Sequence, residues 1–215
     1  MAETDYIALP ATEVAVLAPT PVVEAPPGDP SILGLPIFAA GSVALGLALV
    51  GYVPAAAVGS VLPIVLAATG LGLFVATLWS AAVGQTMVAG VFGLFTGFWW
   101  SYAALLLGLN HNWFAIPAAN VNRSIALFLI TWAIVMFALT VASVRLPLGY
   151  TLVFALVVAA LVLLVIGTLD TNATLNKAAG YVVLVFAALG LYLFLAAASS
   201  ATGGPAYPLG PPLVK

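Results

Sequence analysis

The stretch that decides the fold is GDPSILGLPIFAAGSVALGLAL, residues 28–49, an apolar run whose one charged residue, Asp29, stands at its start. A helix needs about 20 predominantly apolar residues to cross a bilayer, and this run is long enough. Asp29 can cap a helix that begins at Pro30, because the first helical turn leaves its N–H groups without backbone acceptors and the proline lacks that group. The stretch therefore predicts a membrane-spanning helix.

The rest of the chain has the same character. Hydrophobic residues make up 65% of the sequence and charged residues only 5%, so one soluble core could not bury its apolar surface. Six windows are long and apolar enough to be spans. They are residues 31–52, 56–79, 86–109, 123–144, 147–168 and 175–198.

The few charges support this division. Arg123 and Arg145 bracket the fourth window, and Asp170 and Lys177 frame the connection after the fifth, where they avoid the cost of a charge at bilayer depth. The predicted fold class is an all-α polytopic membrane protein with six transmembrane helices per protomer. We expect a multi-pass protein of the cell (inner or cytoplasmic) membrane, and its four basic residues do not set its orientation.

Both ends differ from the apolar middle. Residues 1–28 are acidic and rich in Pro and Thr, and they lack the basic residues of a signal peptide, so we expect a disordered extension. Residues 29–198 form the transmembrane domain. Residues 199–215 are rich in Pro and Gly and cannot remain helical; their composition favours a tail over a lid or anchor packed against the helix ends.

Few residues could carry enzyme chemistry. The sequence has no cysteine and one histidine, His111, and Asp170 is the sole acid after residue 29. Membrane enzymes usually show clustered titratable groups, so we expect no catalytic site, no metal site and no cofactor. No nucleic-acid partner is expected, and the predicted surroundings are the lipid bilayer.

The third window has two kinds of face. Ala89, Gly93 and Gly97 recur at every fourth residue, a spacing that lets another helix approach closely. Around them the segment GQTMVAGVFGLFTGFWW supplies aromatic rings and neutral polar groups. Ordinary packing or lipid contact is enough to explain any one of these aromatic residues. The spacing of the glycines favours a tightly packed bundle.

At this point the motifs become recognisable. DPSILGLPIF resembles the Asn-Pro-Ala-Pro-Leu-Gly-Leu signature at the start of the first helix of the acetate uptake transporter family, which contains the bacterial succinate/acetate permeases. Four residues match, and an acid replaces the family's Asn; the signature positions are Asp29, Pro30, Leu33, Gly34 and Leu35. GQTMVAGVFGLFTGFWW, ALFLITWAIVMFALT and TNATLNKAAGYVVLVFAALGLYLFLA are similar to the family's third, fourth and sixth helices.

The resemblance implies a homohexamer of six-helix protomers, with one pathway through each protomer for acetate and, in some members, succinate. The family's hydrophobic constriction carries over to Phe38, Phe95 and Val157, where Val157 is smaller than the usual Leu. Further polar pathway candidates are neutral donors: Gln85, Thr86, Thr96, Asn172 and Tyr181. Asn172 could equally cap a helix, and Tyr181 could equally belong to an interfacial belt.

Three functions remain open from the sequence. The first is a channel or proton-linked permease for acetate and other short carboxylates, since a neutral pore passes an anion without trapping it. The second is a pore for small neutral solutes such as ammonia, urea or water. The third is a structural membrane subunit in which the three constriction residues face lipid. A retinal-binding protein is disfavoured because only six spans are evident.

Overall fold

The computed structural model describes residues 28–214, and that part of the chain is helical, with no β-strand. The extension expected over residues 1–28 lies outside the described residues except for Gly28. Six helices follow one another: α1 (Ser31–Val50), α2 (Leu71–Ala82), α3 (Thr86–Asn110), α4 (Val121–Ala142), α5 (Leu148–Leu169) and α6 (Ala173–Ala201). The predicted all-α fold with six spans is confirmed, and the helix ends lie within a few residues of the predicted windows.

Short connections make consecutive helices run in opposite directions. We call the end of the bundle at which α1, α3 and α5 begin the upper end, and the other the lower end. Helix α1 begins at Ser31, the first residue of the predicted window, with Pro30 at the N-cap position, and the backbone N–H of Ser31 donates to Asp29 Oδ1 at 2.9 Å. The predicted role of Asp29 as the acceptor at this helix start is thereby confirmed, and α1 then runs without a break through Pro36.

The second span is irregular in its first half. A 3₁₀ segment, Ala55–Val61, is followed by a π-helical segment, Pro63–Gly70, before α2 begins. Pro63 has no N–H to donate, which weakens the regular α-helical ladder at this point. The indole of Trp100 packs against Gly70, where a Cβ would overlap its ring, and its N–H donates to the Leu66 carbonyl at 3.3 Å. A tertiary contact from α3 thus stabilises the widened turn.

Small residues set how closely the helices approach. A Cβ at Gly180 of α6 would lie 2.8 Å from the Leu49 Cβ and 3.0 Å from the Val50 backbone nitrogen, so α1 and α6 cross almost backbone to backbone. The stripe of small residues predicted on α3 does not pack against a single neighbouring helix. Gly93 faces Thr77 of α2, whereas Gly97 faces Trp132 of α4.

The C-terminal strap, residues 202–214, returns over the upper end of the bundle. The Gly149 N–H donates to the Leu209 carbonyl at 2.9 Å, and the N–H of Leu213 donates to the Val144 carbonyl at 3.0 Å. The Tyr192 hydroxyl donates to the Pro208 carbonyl at 2.9 Å. The composition favoured a free tail, but these hydrogen bonds show the anchored alternative. Proline prevents the segment from being helical, and hydrogen bonds from the backbone and from the Tyr192 hydroxyl hold it against the bundle instead.

We expect Tyr192→Phe to destabilise the protein modestly. It removes one hydrogen bond, worth about 1 kcal/mol, from the strap, which corresponds to a fall in Tm of about 2–4 °C for a chain of this size. Thermal unfolding in detergent measures the shift. Tyr181→Phe is the matched control, because the Tyr181 side chain is 58% exposed. Equal melting of both variants would mean that the strap hydrogen bond contributes nothing.

Candidate functional site

Four phenylalanine rings, each from a different helix, meet in the middle of the bundle. Phe38 of α1 contacts Phe95 of α3 edge to face, with ring centroids 4.7 Å apart. Phe186 of α6 stacks on Phe38 at 5.8 Å, and Phe154 of α5 lies 6.2 Å from Phe95. All four rings are buried. We call them the phenylalanine cluster.

Two cavities lie on either side of this cluster. The upper cavity, of about 250 Å³, is lined by residues near the starts of α1, α3 and α5, including Ser31, Val91 and Tyr150. The lower cavity, of about 230 Å³, is lined by residues near the opposite helix ends, including Leu49 and Leu164. Among the described residues, only Phe38 and Phe95 line both cavities. The two cavities therefore point toward opposite ends of the bundle, with this ring pair between them.

The predicted constriction residues are brought to this region. Phe38 and Phe95 touch, and Val157 lines the lower cavity and is 5% exposed. Phe154, three residues before Val157 on the same face of α5, lines the upper cavity. The sequence reasoning missed Phe154 and Phe186. The spacing of Phe154 from Val157 was the available signal for the first of them.

Signature residues build the upper cavity. Leu35 is part of its wall, and Gly34 lies directly against the Phe92 ring, which would overlap a Cβ at that position. The absence of a side chain at Gly34 lets α1 and α3 approach closely there. This approach positions Phe38, one turn further along α1, to meet the ring of Phe95.

The polar candidates on α3 do not reach the cavities. The Thr96 side chain is buried, and its hydroxyl donates to the Phe92 carbonyl at 2.8 Å. Thr86 lines a groove on the outside of the bundle, between α3 and α4. Gln85 precedes α3 and lines neither cavity.

The two polar candidates of the α6 region also lie outside the cavities. Asn172 is the N-cap of α6: its Oδ1 accepts from the backbone N–H groups of Thr174 at 3.0 Å and Leu175 at 3.2 Å. Tyr181 is largely exposed on the outer surface of the bundle. Neither lines a cavity, and both positions fit the alternatives left open from the sequence.

Other neutral groups supply the polarity of the cavities. Ser31 and Tyr150 line the upper cavity. The lower cavity contains four polar side chains, Trp99, Tyr102, Thr168 and Asn176. The sequence analysis did not single out any of these as a pathway residue, because residue type alone does not show which side chains line a cavity.

Charge is confined to the surroundings. No Asp, Glu, Lys, Arg or His lines either cavity in the described residues 28–214. His111 stacks on Trp113 in the connection after α3, with ring centroids 5.6 Å apart. Asp170 lies in the connection after α5, at the same lower end. A solute in either cavity would meet apolar walls and a few neutral hydrogen-bonding groups.

Solved structures include one with this architecture. A structure described as that of the bacterial acetate channel SatP superposes with a TM-score of 0.76 and 24% sequence identity, and the match covers 85% of this chain and 99% of that one. At this identity the likeness establishes the shared fold.

Curated relatives come from two yeasts. Accumulation of dyads protein 2 of Saccharomyces cerevisiae is 29% identical over 187 residues, which are 82% of this chain and 62% of that protein. Meiotically up-regulated gene 86 protein of Schizosaccharomyces pombe is 33% identical over 90 residues, or 40% of this chain and 28% of that protein. The chain thus spans less than two thirds of the length of these relatives.

The family assignment rests on most of the chain. The profile of the GPR1/FUN34/yaaH family matches residues 14–207, from the acidic extension to the C-terminal strap. Together with the shared fold, this match confirms the resemblance to acetate uptake transporters that the motifs indicated. The chain belongs to the GPR1/FUN34/yaaH family.

Proposed function

We propose that this protein moves acetate and other short carboxylates across a membrane, through a pathway inside each protomer. One observation carries the proposal: two cavities open toward opposite ends of a six-helix bundle and share only the Phe38–Phe95 ring pair. This arrangement fits a continuous path across the bundle with one constriction between the two cavities. The shared fold with a structure described as an acetate channel supports it.

The narrow point selects by size and polarity. We assign the constriction to Phe38, Phe95 and Val157, with Phe154 and Phe186 completing the ring. The edges of aromatic rings are electropositive and attract a carboxylate weakly, and the Phe38 and Phe95 rings offer an apolar surface to its methyl group. Val157 leaves more room than the larger Leu would.

The cavity walls suit rapid passage. Both contain neutral hydrogen-bonding groups and no charged side chain in the described part of the chain. A fixed cation inside the path would bind an anion tightly and slow its release, whereas neutral donors stabilise it more weakly. The same walls accept protonated acetic acid. A channel and a proton-linked permease therefore share this geometry.

Finer features of the proposal follow from the family resemblance. We propose that succinate is a second substrate, that the assembly is a homohexamer, and that the protein resides in the cell membrane. Residues 29–198 then form the conducting domain, and the C-terminal strap closes its upper rim. Gln85, Thr86, Thr96, Asn172 and Tyr181 remain candidates for polar contacts outside the two cavities.

The test is uptake of labelled acetate into liposomes that contain the purified protein. We expect protein-dependent uptake that unlabelled acetate inhibits, and stimulation by an inward proton gradient if transport is proton-linked. Labelled urea, in the same vesicles, tests the neutral-solute pore. Urea flux without acetate flux would overturn the proposal in favour of that pore, and no flux of either by folded protein would favour a structural subunit.

A further inference from the structure

The second span contains a buried hydroxyl without a hydrogen-bond partner. Thr69 lies in the π-helical segment, Pro63–Gly70, and its side chain is fully buried against Gly41 of α1. Its Oγ1 has no partner within residues 28–214. Leaving a buried polar group unsatisfied costs free energy, so such groups are rare in folded proteins. The π-helical segment therefore carries a cost in this conformation.

The widened turn accounts for the missing partner. In an α-helix, a serine or threonine hydroxyl can donate to the carbonyl four residues earlier, as Ser42 and Thr77 do at 2.8 Å. The same bond from Thr69 would go to the Val65 carbonyl. A π-helical turn closes one residue later than an α-helical turn, which changes where that carbonyl points relative to residue 69. Rewinding the segment as an α-helix would restore the acceptor.

Trp100 of α3 stabilises the widened form. Its indole N–H donates to the Leu66 carbonyl at 3.3 Å, slightly longer than usual, and its ring covers Gly70. In an α-helix the Leu66 carbonyl would accept from the Gly70 N–H instead. The π form thus gains the bond at Trp100 and lacks the bond at Thr69, and the α form reverses both. These two contributions oppose each other and are of similar size.

Rewinding would change the lipid contacts little. It moves the residues before Pro63 by about one helix position, which is about 100° around the axis and about 1.5 Å along it. Residues 61–68 read VLPIVLAA, so every face of this half is apolar. Val65 is buried and Leu66 is 41% exposed, and exchanging such side chains between the bundle and the lipid exposes no polar group.

We propose that the second span is a two-state element, in which the π form exchanges with an α form. In the α form Thr69 Oγ1 donates to the Val65 carbonyl, and Trp100 releases its acceptor. Widened turns within α-helices are frequent at functional sites, where they allow such local changes of helix register. The inference concerns the conformation of the span and does not depend on the transport of acetate.

The exchange would move the part of the span that reaches the lower end of the bundle. A Cβ at Gly59 would lie 3.9 Å from Asn110 Nδ2 at the end of α3. The preceding residue, Leu109, lines the lower cavity. A turn of the first half of the span therefore changes the packing beside that cavity.

The distance between two spin labels on the span reports which form is present. Ser60 and Val75 are exposed and lie on either side of the π-helical segment, and the natural sequence has no cysteine. Both are replaced by cysteine and labelled, and double electron–electron resonance is recorded in detergent after dilution with unlabelled protein. We expect the original protein to populate mainly the distance of the π form. Trp100→Phe should raise the ratio of the second distance to the first about tenfold, since one hydrogen bond of the π form is lost.

Further variants separate the two opposing contacts. Gly70→Ala keeps Trp100 but places a methyl group where the indole lies, so it should also favour the second distance and remains informative if Trp100→Phe folds poorly. Thr69→Val, added to Trp100→Phe, should lower the second population about tenfold, because the α form loses its hydroxyl bond. Thr69→Ser in the same background keeps the hydroxyl and should retain that population.

The control lies on another helix pair. Trp132→Phe removes an indole bond to the Ser101 hydroxyl, between α4 and α3, and should leave the distances unchanged. A water molecule bound to Thr69 in a static π-helical segment would give one distance in all variants. A single distance in both Trp100→Phe and Gly70→Ala, equal to that of the original protein, would overturn the inference.

Discussion

Phe95→Ala is expected to join the two cavities and to speed the passage of acetate. Its ring centroid lies 4.7 Å from that of Phe38 and 6.2 Å from that of Phe154, so its removal would open the proposed constriction. A barrier lowered by about 1.4 kcal/mol corresponds to a tenfold higher rate, and we expect a rise of about this size. Labelled acetate uptake at a matched amount of folded protein measures it.

The same variant should lose size selection. Butyrate, with a longer alkyl chain, should pass Phe95→Ala more readily relative to acetate than it passes the original protein. Phe137→Ala is the matched control, because Phe137 is 60% exposed on α4 and lies away from both cavities. An unchanged acetate rate and an unchanged butyrate ratio in Phe95→Ala would remove the ring from the pathway.

Gly180→Val is expected to be the most damaging single substitution for stability. A Cβ at this position would lie 2.8 Å from the Leu49 Cβ and 3.0 Å from the Val50 nitrogen. Backbone atoms of α1 cannot rotate away as the end of a side chain can. The two helices would have to separate, at a cost of about 3 kcal/mol, the upper part of the range for overpacked sites.

Thermal unfolding and size-exclusion chromatography in detergent report this effect. Gly90→Val is the matched control: Gly90 is also in a helix, and a Cβ there has no neighbour within 4 Å. We expect Gly90→Val to melt near the original protein and Gly180→Val to melt lower or to aggregate. Equal melting temperatures would show that α1 and α6 do not approach as closely as described.

The number and order of the helices could be predicted because the bilayer imposes simple rules. Long apolar windows must be helical in lipid, and charges such as Arg123 and Arg145 mark where they end. The start of α1 was also predictable, since Asp29 and Pro30 form a local capping signal. The irregular first half of the second span was not, because it depends on the packing of Trp100 against Gly70.

The residues of the proposed pathway were harder to predict for a physical reason. In a soluble helix, polarity separates the buried face from the exposed one, but here the lipid side and the inside of the bundle are both apolar. Periodicity therefore could not separate Phe95, which is buried, from Phe137, which is exposed. Phe38 and Phe95 were named by family resemblance, and their contact became visible only with the helices packed.

The role of neutral polar residues was hard to predict for a related reason. Thr96 satisfies its own hydroxyl with a carbonyl one turn earlier, and Asn172 caps a helix; neither function can be distinguished from solute contact by residue type. Thr69 has no hydrogen-bond partner within residues 28–214, but that is a property of three-dimensional neighbours and has no sequence signal. The C-terminal strap likewise depends on distant partners, such as Val144.

The proposed pathway is tested most directly by single cysteines, because the natural sequence contains none. Leu161 of α5 lines the lower cavity and is 3% exposed, whereas its neighbour Val162 faces outward and is 46% exposed. Leu161→Cys and Val162→Cys would each be modified with 2-sulfonatoethyl methanethiosulfonate, which adds a group larger than the original side chain and negatively charged, verified by mass, and assayed for acetate uptake in liposomes. We expect modification to remove most of the uptake at position 161 and none at position 162. Full uptake by completely modified Leu161→Cys would contradict a pathway through the bundle.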